Sequence, residues 1–335
     1  MSADDRDYLF DPSAPAIDEI VRIERLFAPA RYRSVAPPAF SRRRRANWAY
    51  AVAASLVVAV LLYRLWWAPG APVRWEVIAV AGGARIGAQP VSRASTLSAG
   101  EILVTDSTGA ATLSVGKLGR VRVGPNSWVQ LVTTRRAEHR LSVVGQLHAR
   151  VWAPPRFFVV QTPSSLATDL GCIYDLKVDA AGNGVLTVES GEVELASHGL
   201  VSTVPAGAAA HLQARGPGVP FLVRSPAAFR NALVSYENAP SLQSLQSLLM
   251  VADSSATISL WHLLPRLGPE ERGLVYARLN AISPAPSGVT QSNIVELDTR
   301  ALNIWRRSLE SNWSIEPAGL WRRAWRRAWG SLARN

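Results

Sequence analysis

Residues 42–67 read "RRRRANWAYAVAASLVVAVLLYRLWW", and this stretch constrains the chain more than any other. From Ala46 to Trp67 the run is long enough, as a helix, to span roughly 33 Å, close to the hydrocarbon thickness of a bilayer. Only Asn47, Ser55 and Arg64 interrupt it, and Arg64 lies near the far end, where its head group reaches the interface. Trp48, Tyr50, Tyr63, Trp66 and Trp67 gather at the two ends, where amphipathic rings prefer to sit. A secretion signal would start nearer the N-terminus and end at a small-x-small site, whereas "LWWAPGAP" follows here. A buried core helix would not abut four arginines. The run therefore reads as a single transmembrane helix. The arginines Arg42, Arg43, Arg44 and Arg45 hold its leading end in the cytoplasm. Residues 1–41 are expected in the cytoplasm and the bulk of the chain in the periplasm, anchored in the inner membrane.

The 335-residue chain carries a formal net charge of +11, mostly from arginine. Topology accounts for one basic cluster and a C-terminal helix for the other, and neither forms a DNA-reading motif, so no nucleic-acid partner is expected. A single cysteine, Cys172, excludes an internal disulfide, and 5 scattered histidines offer little for a metal centre. No nucleophile elbow, zincin helix, phosphate-binding loop or dinucleotide fingerprint is present, so the chain reads as a non-enzyme with no cofactor and no metal. Glu189, Glu192 and Glu194 share one hairpin and read as solvated strand positions.

Four segments follow from the patterning. In the cytoplasmic stub, 1–41, "IDEIVRIERLF" has helical spacing with Asp18 and Glu19 in its first turn and Pro29 beyond its end. So short a helix is marginal alone in water, so its apolar positions, Ile20, Ile23 and Phe27, want a cytoplasmic partner; the other open reading is that the helix lies on the membrane surface or frays. The membrane helix spans 46–67. Over 73–215 short alternating runs such as "WVQLV", "RLSVVG" and "IYDLKV" are separated by turn signals such as "DSTG", "GPNS" and "DAAGNG". They predict a mainly β module, a sandwich or a solenoid-like antiparallel roll. Over 226–335 the period becomes helical. Leu242, Leu245, Leu248 and Leu249 form one stripe. Leu274, Val275, Leu279 and Ile282 form a second, and Ile294, Leu297, Leu302, Trp305 and Leu309 a third. His262, among apolar neighbours, reads as a hydrogen-bonded core histidine. The tail "GLWRRAWRRAWGSLARN" puts Trp321, Trp325 and Trp329 on one arc of a helix and Arg322, Arg323, Arg326 and Arg327 on the other. This is the pattern of an interfacial helix that contacts a lipid bilayer or an acidic partner; the other open reading is that the tryptophans dock on the preceding helices and the arginines are simply solvated.

Four pieces of the β region carry a family resemblance. They are "RLSVVGQLHARV", "PPRFFVVQTP", "DLGCIYDLKV" and "LTVESGEVEL", in that order. Together they resemble the FecR domain, with Cys172 where that family usually has Thr and Tyr174 where it has Phe. The resemblance implies an extracytoplasmic sensor that responds to an outer-membrane receptor or envelope component and acts, through its cytoplasmic segment, on a sigma factor. Gly145, Gly171 and Gly191, with Tyr174, would be structural members of the motif, where strands turn or backbones come close. The other open reading is a periplasmic envelope-binding scaffold without transmembrane signalling.

Overall fold

The computed structural model describes residues 18–27, 74–116, 118–135, 138–152 and 156–315. The apolar run 46–67, Arg42 to Arg45 and the tail bearing Trp321, Trp325, Trp329, Arg322, Arg323, Arg326 and Arg327 lie outside the described residues. Among the described residues no helix is long and apolar enough to cross a membrane. The chain divides into two units, Met1–Ala68 and Pro69–Asn335. In the first, the helical spacing of the stub is realised as α1 (Asp18–Phe27).

The second unit is mainly β, followed by a helical region. Its strands are β1 (Trp75–Ala81), β2 (Ala84–Ile86), β3 (Gln89–Pro90), β4 (Thr96–Leu97), β5 (Ile102–Thr105), β6 (Ala110–Ser114), β7 (Gly119–Val123), β8 (Trp128–Arg135) and β9 (Glu138–Val151). They continue with β10 (Phe158–Gln161), β11 (Leu166–Asp169), β12 (Ile173–Val178), β13 (Gly184–Ser190), β14 (Glu192–Ser197), β15 (Leu200–Pro205), β16 (Ala208–Gln213), β17 (Gly216–Pro217) and β18 (Phe221–Leu222). Most of these are the alternating runs of the sequence. In β12 every second side chain is buried, as a strand with one face on a core requires, and β8 alternates in the same way through Leu131, where its register against β9 shifts.

Pairing follows chain order in two sheets. One runs β1-β6-β7-β9-β12-β13-β16. The other runs β2-β5-β8-β9-β10-β11-β14-β15. All these pairings are antiparallel except that of β9 with β10. The chain lays strands on one sheet, crosses, and lays the next on the other, advancing along both. The result is an antiparallel, solenoid-like roll. It also contains a structural repeat: the pairings β5–β8, β6–β7, β8–β9 and β7–β9 recur as β11–β14, β12–β13, β14–β15 and β13–β16.

Strand β9 belongs to both sheets. Its first half, through Val144, pairs with β8, and from Gly145 onward it pairs with β12. Gly145 is therefore a crossing point rather than a tight turn. Its φ is +117°, and a Cβ there would lie 2.5 Å from the Ser127 Cα, so only glycine lets the strand change sheets here. Gly207 stands at the equivalent crossing between β15 and β16. Inward side chains of both sheets share one core that includes Trp75, Leu113, Leu131, Leu147, Phe158 and Tyr174. Burial of this apolar surface is the main stabilising term.

The helical region comprises α2 (Ala227–Asn238), α3 (Leu242–Val251), α4 (Thr257–Leu263), α5 (Pro269–Ile282), α6 (Gln291–Val295) and α7 (Thr299–Leu309). It packs on the last strands. The Ser259 hydroxyl donates to the Pro220 carbonyl at 2.7 Å. Arg266 donates to the carbonyls of Pro217 and Gly218 and to the Ser202 hydroxyl, at 2.8, 3.3 and 2.5 Å. His262 is a core histidine. Its Nδ1 bonds the Ile258 carbonyl and its Nε2 accepts from the Thr203 amide, while burial holds its pKa down at about 3. The stripes hold in part: Leu245, Leu248, Leu249, Val275 and Leu279 are buried, but Leu242 and Leu274 remain 51% and 39% exposed.

Candidate functional site

In the first unit the candidate site is α1. Positions 20, 23 and 27 recur at helical spacing, and Ile23 and Leu26 are 50% and 71% exposed. Val21 is half-buried, while Asp18, Arg22 and Arg25 are exposed. Large aliphatic side chains left in water on a ten-residue helix form an uncovered apolar surface with charged flanks.

In the second unit the structure brings together three of the motif residues, Gly171, Tyr174 and Gly191. Gly171 lies in the crossing from β11 to β12, and Gly191 in the turn from β13 to β14. Gly191 has φ +81°, and a Cβ there would stand 2.3 Å from the Gly171 carbonyl oxygen. The Ala206 amide donates to the Gly191 carbonyl at 2.9 Å, which ties β15's end to the same turn.

Asp169, which strand patterning passes over, organises the inside of this junction. Its Oδ1 accepts from the Gly171 amide at 2.5 Å and from the Cys172 thiol at 2.7 Å. The signal for it was an aspartate two residues before a glycine, the mark of an Asx turn. Burial raises the Asp169 carboxyl to about 7, against the opposing pull of the bonds from Cys172 and Gly171. The same burial, reinforced by Asp169, pushes the Cys172 thiol well above its usual range. A buried neutral thiol is a packing group rather than a nucleophile. Tyr174 is fully buried, and its hydroxyl, expected to find a partner, has none among the described residues. The junction is thus a sealed structural knot. It fixes two crossings of the roll and offers no surface to a substrate.

Two further clusters escaped sequence reasoning, because strand pairing and helix docking bring their members together. At the contact of β16 with α2, His211 Nδ1 lies 2.7 Å from Glu237 Oε2, and the Val219 amide donates to Glu237 Oε1 at 2.6 Å. A cavity of about 400 Å³ opens beside them, lined by residues including Asn183, Arg215 and Asn238. On the outer face of the sheet, His148, Asp175 and Glu189 converge. Among the described residues this is the one group of side chains able to hold a metal ion. Glu192 and Glu194 stand instead on the next strand, β14, in the other sheet.

No family model matches the chain, and no curated protein matches it in sequence. Among solved structures, a candidate anti-sigma factor from Parabacteroides distasonis ATCC 8503 is similar in part. Its crystal structure at 1.65 Å resolution matches with a TM-score of 0.33 and 14% identity, over 40% of this chain and 64% of that one. A second crystal structure, at 2.50 Å, gives the same score and identity over 63% of its chain. The match thus spans less than two thirds of that protein's length. A likeness this partial fixes neither family nor fold.

Proposed function

We propose that this chain is a single-pass membrane regulator of the anti-sigma type. Its FecR-like β body lies outside the cytoplasm, and its N-terminal helix engages a cytoplasmic sigma factor. The observation that carries this reading is the exposure of Ile23 and Leu26 on α1, a helix too short to hold itself in water without a partner. The 46–67 run and its preceding arginines supply the anchor and orientation. The four motif pieces supply the resemblance, and three of their residues meet in the Asp169 junction. No catalytic step is assigned. The body acts by contact, receiving an envelope or receptor signal.

The test is co-expression of the full chain with an extracytoplasmic-function sigma factor from the same genome, read by co-purification from detergent and by a sigma-dependent reporter. The wild-type chain is expected to capture the sigma factor. The double variant Ile23→Asp with Leu26→Asp should release it while leaving membrane insertion unchanged. Absence of capture by the wild-type chain, or equal capture by the variant, would overturn the reading.

A further inference from the structure

His148, Asp175 and Glu189 rise from β9, β12 and β13, three neighbouring strands, on the solvent face of one sheet. His148 and Asp175 are direct register partners, and Nδ1 of the first lies 3.0 Å from Oδ1 of the second. Glu189 sits where the β12–β13 register shifts between Ile173 and Tyr174, which places its carboxylate beside theirs. One ligand atom from each of the three lies within 4.8 Å of the others. Ligand atoms of a tetrahedral site with bonds of about 2.1 Å stand about 3.4 Å apart, so the 3.0 Å His148–Asp175 spacing needs to open only slightly to admit the ion. The backbone positions are fixed by sheet pairing, so the site requires only side-chain adjustment.

The simpler account is a surface ion pair between His148 and Asp175. It leaves Glu189 unexplained. Two carboxylates are held close together in an arginine-rich chain, yet no arginine answers them. Arg122 is the register partner of His148 on its other side, and Arg150 stands two residues further along β9. Among the described residues neither forms an ion pair with Asp175 or Glu189. The geometry points to a cation as the missing partner: His148, Asp175 and Glu189 form a binding site for a divalent transition metal, Zn²⁺ foremost. One imidazole nitrogen with two carboxylate oxygens suits Zn²⁺, whereas Mg²⁺ and Ca²⁺ take all-oxygen sets. The exposed position leaves the remaining coordination sites to water. The bound ion would clamp β9 to β12 and β13, just beyond the crossing at Gly145.

The full chain in detergent micelles, stripped with EDTA and dialysed, is titrated with ZnCl2 by calorimetry while its Tm is followed. Saturable binding of one Zn²⁺ per chain with a raised Tm is expected. His148→Ala, Asp175→Asn and Glu189→Gln should each weaken binding about tenfold or more and leave the metal-free Tm unchanged. MgCl2 at the same concentrations should produce neither heat nor stabilisation. The proposal is overturned if Zn²⁺ does not saturate, if all three variants bind like wild type, or if Mg²⁺ binds as well as Zn²⁺.

Discussion

The carbonyl oxygen of Gly171 lies 2.3 Å from the point where a Cβ on Gly191 would stand. Two separate crossings of the roll therefore touch backbone to backbone, and no side chain fits between them. Gly191→Ala must both hold a left-handed conformation and push the β11–β12 crossing away. The expected cost is about 3 kcal/mol, read as a lower urea midpoint. A loss under about 1 kcal/mol would mean that the contact relaxes freely.

Asp169 makes stability depend on pH. In the unfolded chain its carboxyl titrates near the ordinary 3.8, and in the folded chain at about 7. Below the lower value both states hold the proton, and stability is full. As pH rises, the unfolded state gives up its proton first and is favoured. The stability present at acid pH is therefore lost progressively and is gone above about 7. Asp169→Asn keeps the Oδ1 acceptor for Gly171 and Cys172 but cannot ionise. The variant should match the wild-type Tm near pH 3 or fall slightly below it, and exceed it by a growing margin as the pH rises to 8. Parallel melting curves for the two proteins would contradict this.

Arg266 fastens the helices to the end of the roll through its bonds to Pro217, Gly218 and Ser202. Arg266→Ala strands buried carbonyls and should cost about 2–3 kcal/mol. Arg266→Lys should recover little, since an ammonium cannot reproduce the planar fork. Hydrogen exchange should quicken in β15–β17 and stay slow in β5–β8. Uniform quickening would show that the whole body unfolds as one piece.

Topology has its own measurement. On the proposed topology, with the arginines before residue 46 on the cytoplasmic side, alkaline phosphatase joined after residue 80 should be active in a Gram-negative host. A silent fusion would remove the regulator reading at its root.

How far the fold was legible can be followed residue by residue. "WVQLV" and "IYDLKV" became β8 and β12, because alternation is a local consequence of one buried face. The run "NIVELDTRALNIWRRSL" showed one helical period but folds as α6 and α7. Leu297 takes φ +57°, and Asp298 caps the second helix by accepting from the Ala301 amide. Leu242 was expected on the buried stripe, but it opens α3 at the rim and stays in water. The glycines were read as structural from their turn contexts, but the place of Gly145 in the fold required knowing that β9 serves two sheets.

The sequence alone determined what is decided between near neighbours: the apolar run and its flanking charges, the strands by period two, the helices by period 3.6, and the turns by Gly, Asn and Asp. Tertiary structure decided which strands pair, that the roll repeats its own pairing, and that Asp169 is sealed in. It alone placed His148, Asp175 and Glu189 within reach of one ion. The reason is physical. Periodicity records the side of an element that leaves water, whereas pairing joins residues such as His148 and Asp175, whose backbone hydrogen bonds carry no mark of their partner in the chain.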